Sequence, residues 1–282
     1  MQQEKLHIER NTIQETLVIP LFARKLCTRL YPSIYQDPAS AELVKRLDYD
    51  FTSLEKEASS LVQRFGALEV AMRQTDLTTE IQDYLTMHPR AAVVNLGCGL
   101  DQTGESVDNG LCSIYNIDLP DVMAVRRQLI PAGERVTNIA CDLKDPAWME
   151  QVDGSRGAVF FAAGVFYYFQ AEEVHQLVNR MAEMFPGGKL VLDTAGKTAL
   201  KMMLKTVIKQ ARIENIGAYF HVDSMEKDVV SWLRGAKASR RGYMLGYQDL
   251  KLPCVPAFFR LLSHIGDRCL KMQILRLDFD KV

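Results

Sequence analysis

Two glycines one residue apart, Gly97 and Gly99, follow the apolar run Ala91–Leu96. Glycine lets the backbone approach a ligand closely and adopt conformations that a side chain forbids. A helix that starts after such a turn offers free backbone N–H groups, and doubly wound sheets bind ligands at the carboxyl ends of their strands. The spacing therefore predicts a ligand-binding turn, although a Gly-x-Gly pair by itself also fits an ordinary turn.

Two acidic residues close later strand candidates and could bind the same ligand. Asp118 lies 19 residues after Gly99, where a carboxylate can accept hydrogen bonds from both ribose hydroxyls of a nucleotide-like cofactor. Asp142 can accept from an adenine amino group, while the backbone of Leu143 satisfies the edge of the ring. Each acid alone is equally compatible with a turn, but the three strand ends together favour a site for an adenosine-containing cofactor.

Nicotinamide-dependent oxidoreductases bind their cofactor at a similar turn. Their fingerprint requires a third glycine, or an alanine, three positions after the second glycine, and here that position holds Gln102. S-adenosylmethionine has no pyrophosphate and does not need this small residue. The sequence favours S-adenosylmethionine, and a nicotinamide-dependent oxidoreductase is the alternative.

The elements that would position these residues can be predicted from the periodicity of the chain. From residue 91 onward, short apolar runs alternate with amphipathic segments, which predicts an α/β fold with a doubly wound, mostly parallel sheet. The strand candidates are Ala91–Leu96, Ser113–Asp118, Val136–Ala140, Ala158–Ala163, Lys189–Asp193, Gly242–Tyr247 and Met272–Phe279. The helix candidates between them are Asp121–Leu129, Ala171–Phe185, Lys197–Arg212, Asp223–Trp232 and Pro256–Ile265.

The chain before residue 90 is predicted to be helical. Apolar residues recur at helical spacing over Glu15–Leu30, Pro38–Leu47 and Leu54–Met87. We therefore expect residues 1–88 to form a helical cap or lid that packs on a cofactor-binding core of residues 89–282.

Composition narrows the class of protein. The 282 residues are 48% hydrophobic and carry a net charge of −1 with scattered Lys and Arg, so a nucleic-acid partner is not expected. The start of the chain does not resemble a signal peptide, and its longest uncharged apolar run, Gly157–Phe169, is too short to span a bilayer as a helix. Six cysteines without a CxxC pair or a histidine cluster indicate reduced thiols and no metal site. We expect a cytoplasmic protein without a membrane partner.

Five segments carry a family resemblance: Asn95–Asp101, Ile117–Val122, Arg126–Leu129, Cys141–Leu143 and Ala163–Phe169. They closely resemble the leucine carboxyl methyltransferase family, in particular its tetracenomycin-like branch of polyketide O-methyltransferases. The resemblance implies a Rossmann-like class I methyltransferase fold with a seven-stranded sheet. It also implies transfer of a methyl group from S-adenosylmethionine to a carboxylate or hydroxyl oxygen of a small molecule.

The resemblance also assigns roles to individual residues. The implied cofactor-binding residues are Arg73, Gly97, Gly99, Asp118, Leu119, Asp142, Leu143 and Ala163. The two glycines would line the methionine part, Asp118 would hold the ribose and Asp142 the adenine. Arg73 matches the family arginine that pairs with the cofactor carboxylate, a pairing for which a guanidinium is well suited.

Ala163 is the one departure from the family pattern. Some members have a glutamate there, so the bacterial small-molecule branch fits better than the branch that methylates protein carboxyl groups. The departure also keeps open a cofactor-binding module without catalysis.

Catalysis requires an acceptor oxygen aligned behind the methyl group. A carboxylate acceptor needs no base, whereas a hydroxyl gains from one. His221 is the candidate base, with a surface or structural histidine as the alternative, and Tyr168 with Tyr167 and Tyr219 could line an acceptor pocket. Aromatic residues in an apolar run are also commonly core residues, and the sequence names neither the acceptor nor the oligomeric state.

Overall fold

The computed structural model of the protein describes residues 5–8, 15–203 and 217–281. Before residue 90 the described chain is mainly helical, with one short parallel pairing of β1 (Leu6–His7) with β2 (Leu47–Asp48). The helices here are α1 (Glu15–Leu30), α2 (Pro38–Arg46), α3 (Thr52–Glu57) and α4 (Leu61–Met87). No helix of the described residues is long and apolar enough to cross a lipid bilayer.

The remaining strands of the described chain form one seven-stranded sheet. They are β3 (Ala92–Leu96), β4 (Ser113–Asp118), β5 (Val136–Ala140), β6 (Ala158–Ala162), β7 (Lys189–Thr194), β8 (Ala236–Gly242) and β9 (Gln273–Phe279). Their order is β5-β4-β3-β6-β7-β9-β8. Six of these strands run in the same direction, and β9 runs antiparallel to them. This confirms the predicted mostly parallel, doubly wound sheet. The order in which strands are added to the sheet reverses between β3 and β6, and doubly wound sheets bind ligands in the crevice at such a point.

Helices connect the strands and cover both faces of the sheet. They are α5 (Thr103–Ser106), α6 (Pro120–Leu129), α7 (Ala171–Met184), α8 (Lys197–Met203) and α9 (Ala257–Arg268). In α7, Glu172 and Glu173 lie in the first turn, where the helix dipole favours negative charge, and the Glu173 carboxylate accepts from the backbone N–H of Gln170. The apolar stripe of α7 is buried against the sheet.

Successive strand residues serve two different cores. On one face, Val93 packs in a cluster that includes Met72 of α4. On the other face, Val94 packs in a cluster that includes Val178 of α7. Because side chains alternate along a strand, the sheet is a central layer with α4 on one side and α7 on the other.

One expectation for the last part of the sheet is wrong. The penultimate strand is Ala236–Gly242 rather than Gly242–Tyr247. It is an edge strand with mostly exposed polar residues, so it lacks the apolar run on which the prediction depended. Residues 243–247 turn instead, and the Asp267 carboxylate accepts from the amides of Met244 and Leu245. The helix predicted between the last two strands is present as α9.

Two helix predictions differ from the structure, and a third is tested only in part. The stretch Leu54–Met87 is interrupted because Ser60 caps α4 by accepting from the amide of Gln63. The helix predicted over Asp223–Trp232 is only a π-helical turn, Glu226–Val230, and the Asp228 carboxylate accepts from the amides at 223 and 224 before it. The helix predicted over Lys197–Arg212 is described as far as Met203, and its remainder lies outside the described residues.

Candidate functional site

The chain leaves β3 through a turn that requires glycine at two positions. Gly97 and Gly99 have φ angles of +66° and +49°, a region that costs an L-residue about 1–2 kcal/mol. A Cβ atom on Gly97 would lie 2.6 Å from Val165 Cγ2, and one on Gly99 would lie 2.9 Å from Leu17 Cδ2. A side chain would therefore be strained in conformation at both positions, and at Gly97 it would also overlap Val165.

Asp118, at the end of β4, lies directly beside this turn. Its Oδ2 accepts from the Gly99 amide at 2.7 Å, and its Oδ1 accepts from the Leu119 amide at 2.8 Å. Burial raises the pKa of Asp118 above its ordinary value, although the two amide donors oppose the shift. A carboxylate has about four acceptor sites, so each oxygen can still accept from one hydroxyl of a vicinal diol.

Two buried arginines hold the backbone of the glycine turn. Arg126 Nη1 donates to the carbonyl oxygens of Gly99 at 2.9 Å and Asp101 at 2.6 Å, and Arg24 Nη2 donates to that of Leu100 at 3.1 Å. Three successive carbonyl groups are thereby fixed by side chains from α6 and α1. The sequence predicts no role for either arginine, because their partners are backbone atoms that carry no sequence signature.

Arg73 reaches the carboxyl ends of β6 and β7 from α4. Its Nη1 lies 2.9 Å from Asp193 Oδ2. A Cβ atom on Gly164, whose φ is +74°, would lie 3.3 Å from the same nitrogen. Val165, the next residue, fills the space beside Gly97, so Arg73 and the glycine turn border one region.

The end of β5 brings Asp142 close to the same edge. The Cys141 amide donates to the Asp118 carbonyl at 2.9 Å. Asp142 is exposed and accepts from the Lys144 amide at 3.0 Å in a local turn. Leu143 is 5% exposed and belongs to the core on the α7 side. Their roles toward adenine stay predictions, as does that of the partly buried Ala163 at the end of β6.

The acceptor-side candidates lie together beyond β6 and β7. The Tyr219 amide donates to the Tyr167 carbonyl oxygen at 2.7 Å, and the Val222 amide donates to the Ala195 carbonyl oxygen at 3.0 Å. His221 Nδ1 lies 3.0 Å from the Tyr219 carbonyl oxygen. A carbonyl only accepts, so Nδ1 donates in this contact, and Nε2 lies 3.8 Å from Asp223 Oδ2.

The tyrosines differ in what they can contact. Tyr168 is 38% exposed and Tyr219 is 47% exposed, so both can meet a ligand. Tyr167 is buried, and its hydroxyl donates to Asp193 Oδ2 at 3.2 Å. The catalytic roles of Tyr168 and His221 stay predictions.

Comparisons with known proteins agree with this arrangement. The model of a family described as leucine carboxyl methyltransferase matches residues 18–182. The tetracenomycin polyketide synthesis O-methyltransferase TcmP of Streptomyces glaucescens is 27% identical over 182 residues, and the match spans 64% of this chain and 65% of TcmP, just under two thirds of that relative's length. The S-adenosyl-L-methionine-dependent methyltransferase dpfgK of Gibberella zeae is 27% identical over 252 residues, covering 82% of each chain.

A solved structure shares the fold. The crystal structure of a putative methyltransferase from Thermobifida fusca aligns with a TM-score of 0.57 at 15% identity, over 92% of this chain and 94% of that one. At this identity the similarity concerns the arrangement of the sheet and its helices, which is that of class I methyltransferases.

Proposed function

The chain belongs to the leucine carboxyl methyltransferase family, and from this premise we propose that it methylates an oxygen atom of a small molecule. The methyl donor of this family is S-adenosylmethionine. The observation that supports the proposal is the convergence of the glycine turn, Asp118 and Arg73 at the carboxyl ends of β3, β4 and β6.

The polar groups at this edge fit the donor. Asp118 has acceptor sites for a diol, the turn at Gly97 and Gly99 brings bare backbone to the site, and Arg73 is a cation whose Nε is buried without a partner among the described residues. The residues that would hold the donor are Arg73, Gly97, Gly99, Asp118, Leu119, Asp142, Leu143 and Ala163.

The protein's part in the reaction is alignment and exclusion of water. When bound, S-adenosylmethionine would supply a methyl group on a sulfonium, so that an acceptor oxygen can bond to the methyl carbon in line while the carbon–sulfur bond breaks and S-adenosylhomocysteine leaves. Leu17 and Val165 place aliphatic atoms beside the glycine turn and keep that region apolar. Holding reactants in a productive orientation can supply about 7–11 kcal/mol of the barrier.

His221 is the proposed base for a hydroxyl acceptor. Its Nε2 can take the proton of a phenol or alcohol, whereas a carboxylate acceptor is already a nucleophile at neutral pH. Tyr168 and Tyr219 present exposed rings for an apolar acceptor. The similarity to TcmP, an O-methyltransferase of tetracenomycin polyketide synthesis, supports a polyketide-like acceptor.

A turnover assay tests the proposal. The protein is incubated with S-adenosylmethionine and a panel of polyketide-type phenols and carboxylic acids, and release of S-adenosylhomocysteine is followed together with the mass of the acceptor. Mild alkali cleaves a methyl ester but not a methyl ether, which separates the two acceptor classes. We expect release that depends on one class, is lost in Asp118→Asn and is retained in Asp121→Asn, an exposed control.

The same assay addresses the alternatives. Binding of S-adenosylhomocysteine without turnover of any acceptor would favour a module without catalysis. Binding of a nicotinamide cofactor in place of S-adenosylhomocysteine would overturn the proposal, although family membership argues against an oxidoreductase. A cytoplasmic location is part of the proposal, and cell fractionation checks it.

A further inference from the structure

Asp193, the penultimate residue of β7, is a buried carboxylate that connects three elements. Its Oδ1 accepts from the Gly164 amide at 2.7 Å, beyond the end of β6. Its Oδ2 accepts from Arg73 Nη1 at 2.9 Å and from the Tyr167 hydroxyl at 3.2 Å. The side chain of Asp193 is 1% exposed, so water does not replace these partners.

The contact with Asp193 uses only part of the guanidinium of Arg73. A guanidinium has five N–H donors in a fixed plane, and Asp193 engages one nitrogen, Nη1. Nε is buried and has no hydrogen-bond partner among the described residues. Arg73 therefore keeps donors for a second anion while one end of its plane is held.

Orientation is what Asp193 supplies. An arginine side chain has many rotamers, and a loose guanidinium loses conformational entropy when it binds an anion. A guanidinium that is already fixed avoids this cost when the ligand arrives. The side chain of Arg73 is 13% exposed. Because little water reaches the guanidinium, few other orientations would give it hydrogen-bond partners.

We propose that Asp193 is the positioning residue for the amino-acid end of S-adenosylmethionine, because it holds Arg73 with its free donors available to the cofactor carboxylate. The inference rests on the proposed function, since it takes S-adenosylmethionine as the ligand. Asp193 acts through Arg73 and does not itself touch the reacting atoms.

Two ligands separate this role from general support of the fold. S-adenosylhomocysteine carries the amino-acid end, whereas 5′-methylthioadenosine has the same adenosine without it. A residue that merely stabilises the strand ends affects both ligands or neither. A residue that positions Arg73 affects S-adenosylhomocysteine alone.

The test measures both affinities by calorimetry in Asp193→Asn and in a matched control, Asp76→Asn. Asp76 lies on α4 and is buried like Asp193. Its carboxylate accepts from Arg241 Nη2 of the edge strand β8 at 2.8 Å and from the Tyr247 amide at 2.9 Å. We expect Asp193→Asn to weaken S-adenosylhomocysteine about tenfold or more, a change of about 1.4 kcal/mol. It should leave 5′-methylthioadenosine within about twofold, and Asp76→Asn should leave both ligands unchanged.

A double-mutant cycle with Arg73→Met completes the test. If Asp193 works through Arg73, the double variant binds S-adenosylhomocysteine no more weakly than Arg73→Met alone. Equal losses for both ligands, no loss, or tighter binding in Asp193→Asn would overturn the proposal, the last because it would mean that Asp193 competes for Arg73. If Asp193→Asn does not fold, Asp193→Glu keeps the charge and shifts the carboxylate, and the same selective loss is expected. Failure of the unmodified protein to bind either ligand would instead contradict the proposed function.

Discussion

The carboxylate of Asp118 is fixed in position by backbone donors of the protein itself. The amides of Gly99 and Leu119 each donate a hydrogen bond to one of its oxygens, at 2.7 Å and 2.8 Å. Only the ionised form can accept from two ribose hydroxyls as well, because protonation turns one acceptor oxygen into a donor. The charge state of this single residue should therefore control cofactor affinity.

Cofactor binding should weaken in mild acid. Burial raises the pKa of Asp118 above the ordinary value of 3.8, so the acceptor is lost, as pH falls, before an exposed aspartate would be protonated. Calorimetry of S-adenosylhomocysteine binding from neutral pH downward should show affinity decline at a pH above 3.8. Asp118→Asn should bind more weakly by about 1–3 kcal/mol and lack this decline. An identical pH profile in the variant would exclude Asp118 as its origin.

The role of His221 depends on the acceptor. A general base contributes about 10²–10⁴-fold to rate, and only a hydroxyl acceptor needs one. We expect His221→Ala to lower kcat by that factor with a phenol as the acceptor and to leave kcat unchanged with a carboxylic acid. His175→Ala is the control, because that ring stacks on Trp232 at 4.1 Å. Unchanged turnover of a phenol would remove His221 as the base.

At this scale the sequence predicted residues with a local motif and missed those without one. Gly97, Gly99 and Asp118 follow strands, and their positions can be read from the pattern. Asp193 meets Arg73 across 120 positions of the chain, and Arg24 meets the carbonyl of Leu100 across 76. Such pairs depend on how helices pack, which spacing along the chain does not encode.

At the scale of elements, α1 takes part in the site because it covers the glycine turn. Leu17 Cδ2 of α1 lies 2.9 Å from where a Cβ on Gly99 would be, and Arg24 of the same helix donates to the carbonyl oxygen of Leu100. The helix therefore fixes the turn from outside the sheet. Substitutions at Gly99 and Leu17 should therefore have coupled effects on the free energy of unfolding.

A double-mutant cycle measures this coupling. Gly99→Ala should cost about 1–2 kcal/mol for its φ of +49° and more for the contact with Leu17. Combined with Leu17→Ala, the loss in unfolding free energy should be smaller than the sum of the single losses by about 0.5–1 kcal/mol. Urea denaturation gives these values.

Gly110 provides the control for the conformational part. Its φ is +80°, and a Cβ there would meet nothing within 4 Å. Gly110→Ala should therefore lose stability for its φ alone and show no coupling to Leu17→Ala. Additive losses for Gly99 and Leu17 would mean that α1 does not press on the turn.

The predictability of elements follows the same physics. The bounds of β4 and β5 match the prediction, Ser113–Asp118 and Val136–Ala140, because each is a short run between turn residues. The edge strand β8 was misplaced because Ala236–Gly242 has little apolar surface to bury, and its partner β9 comes later in the chain. The strand β5 is the opposite edge and is marked by its apolar residues Val136 and Ile139, whereas β8 carries mostly polar residues and is specified by its pairing with β9.

At the scale of the whole molecule, one core crosses residue 88. A single cluster contains Leu26 of α1 and Met72 of α4 together with Val93 and Val191 of the sheet. Without the first 88 residues, this face of the sheet would be exposed to water. Burial of apolar area is the main favourable term in folding, at about 25 cal/mol per Å².

We therefore expect the described chain to unfold in one cooperative transition, and a fragment of residues 89–282 to lack a stable fold. Removing α4 uncovers Val93, Val159 and Val191, each 0% exposed in the structure, and takes Arg73 away from the buried Asp193. Thermal unfolding followed by circular dichroism should show one transition for the full chain and none for the fragment. A fragment that melts cooperatively and binds 5′-methylthioadenosine would show that residues 89–282 fold alone, and that the helices before them are a separable lid.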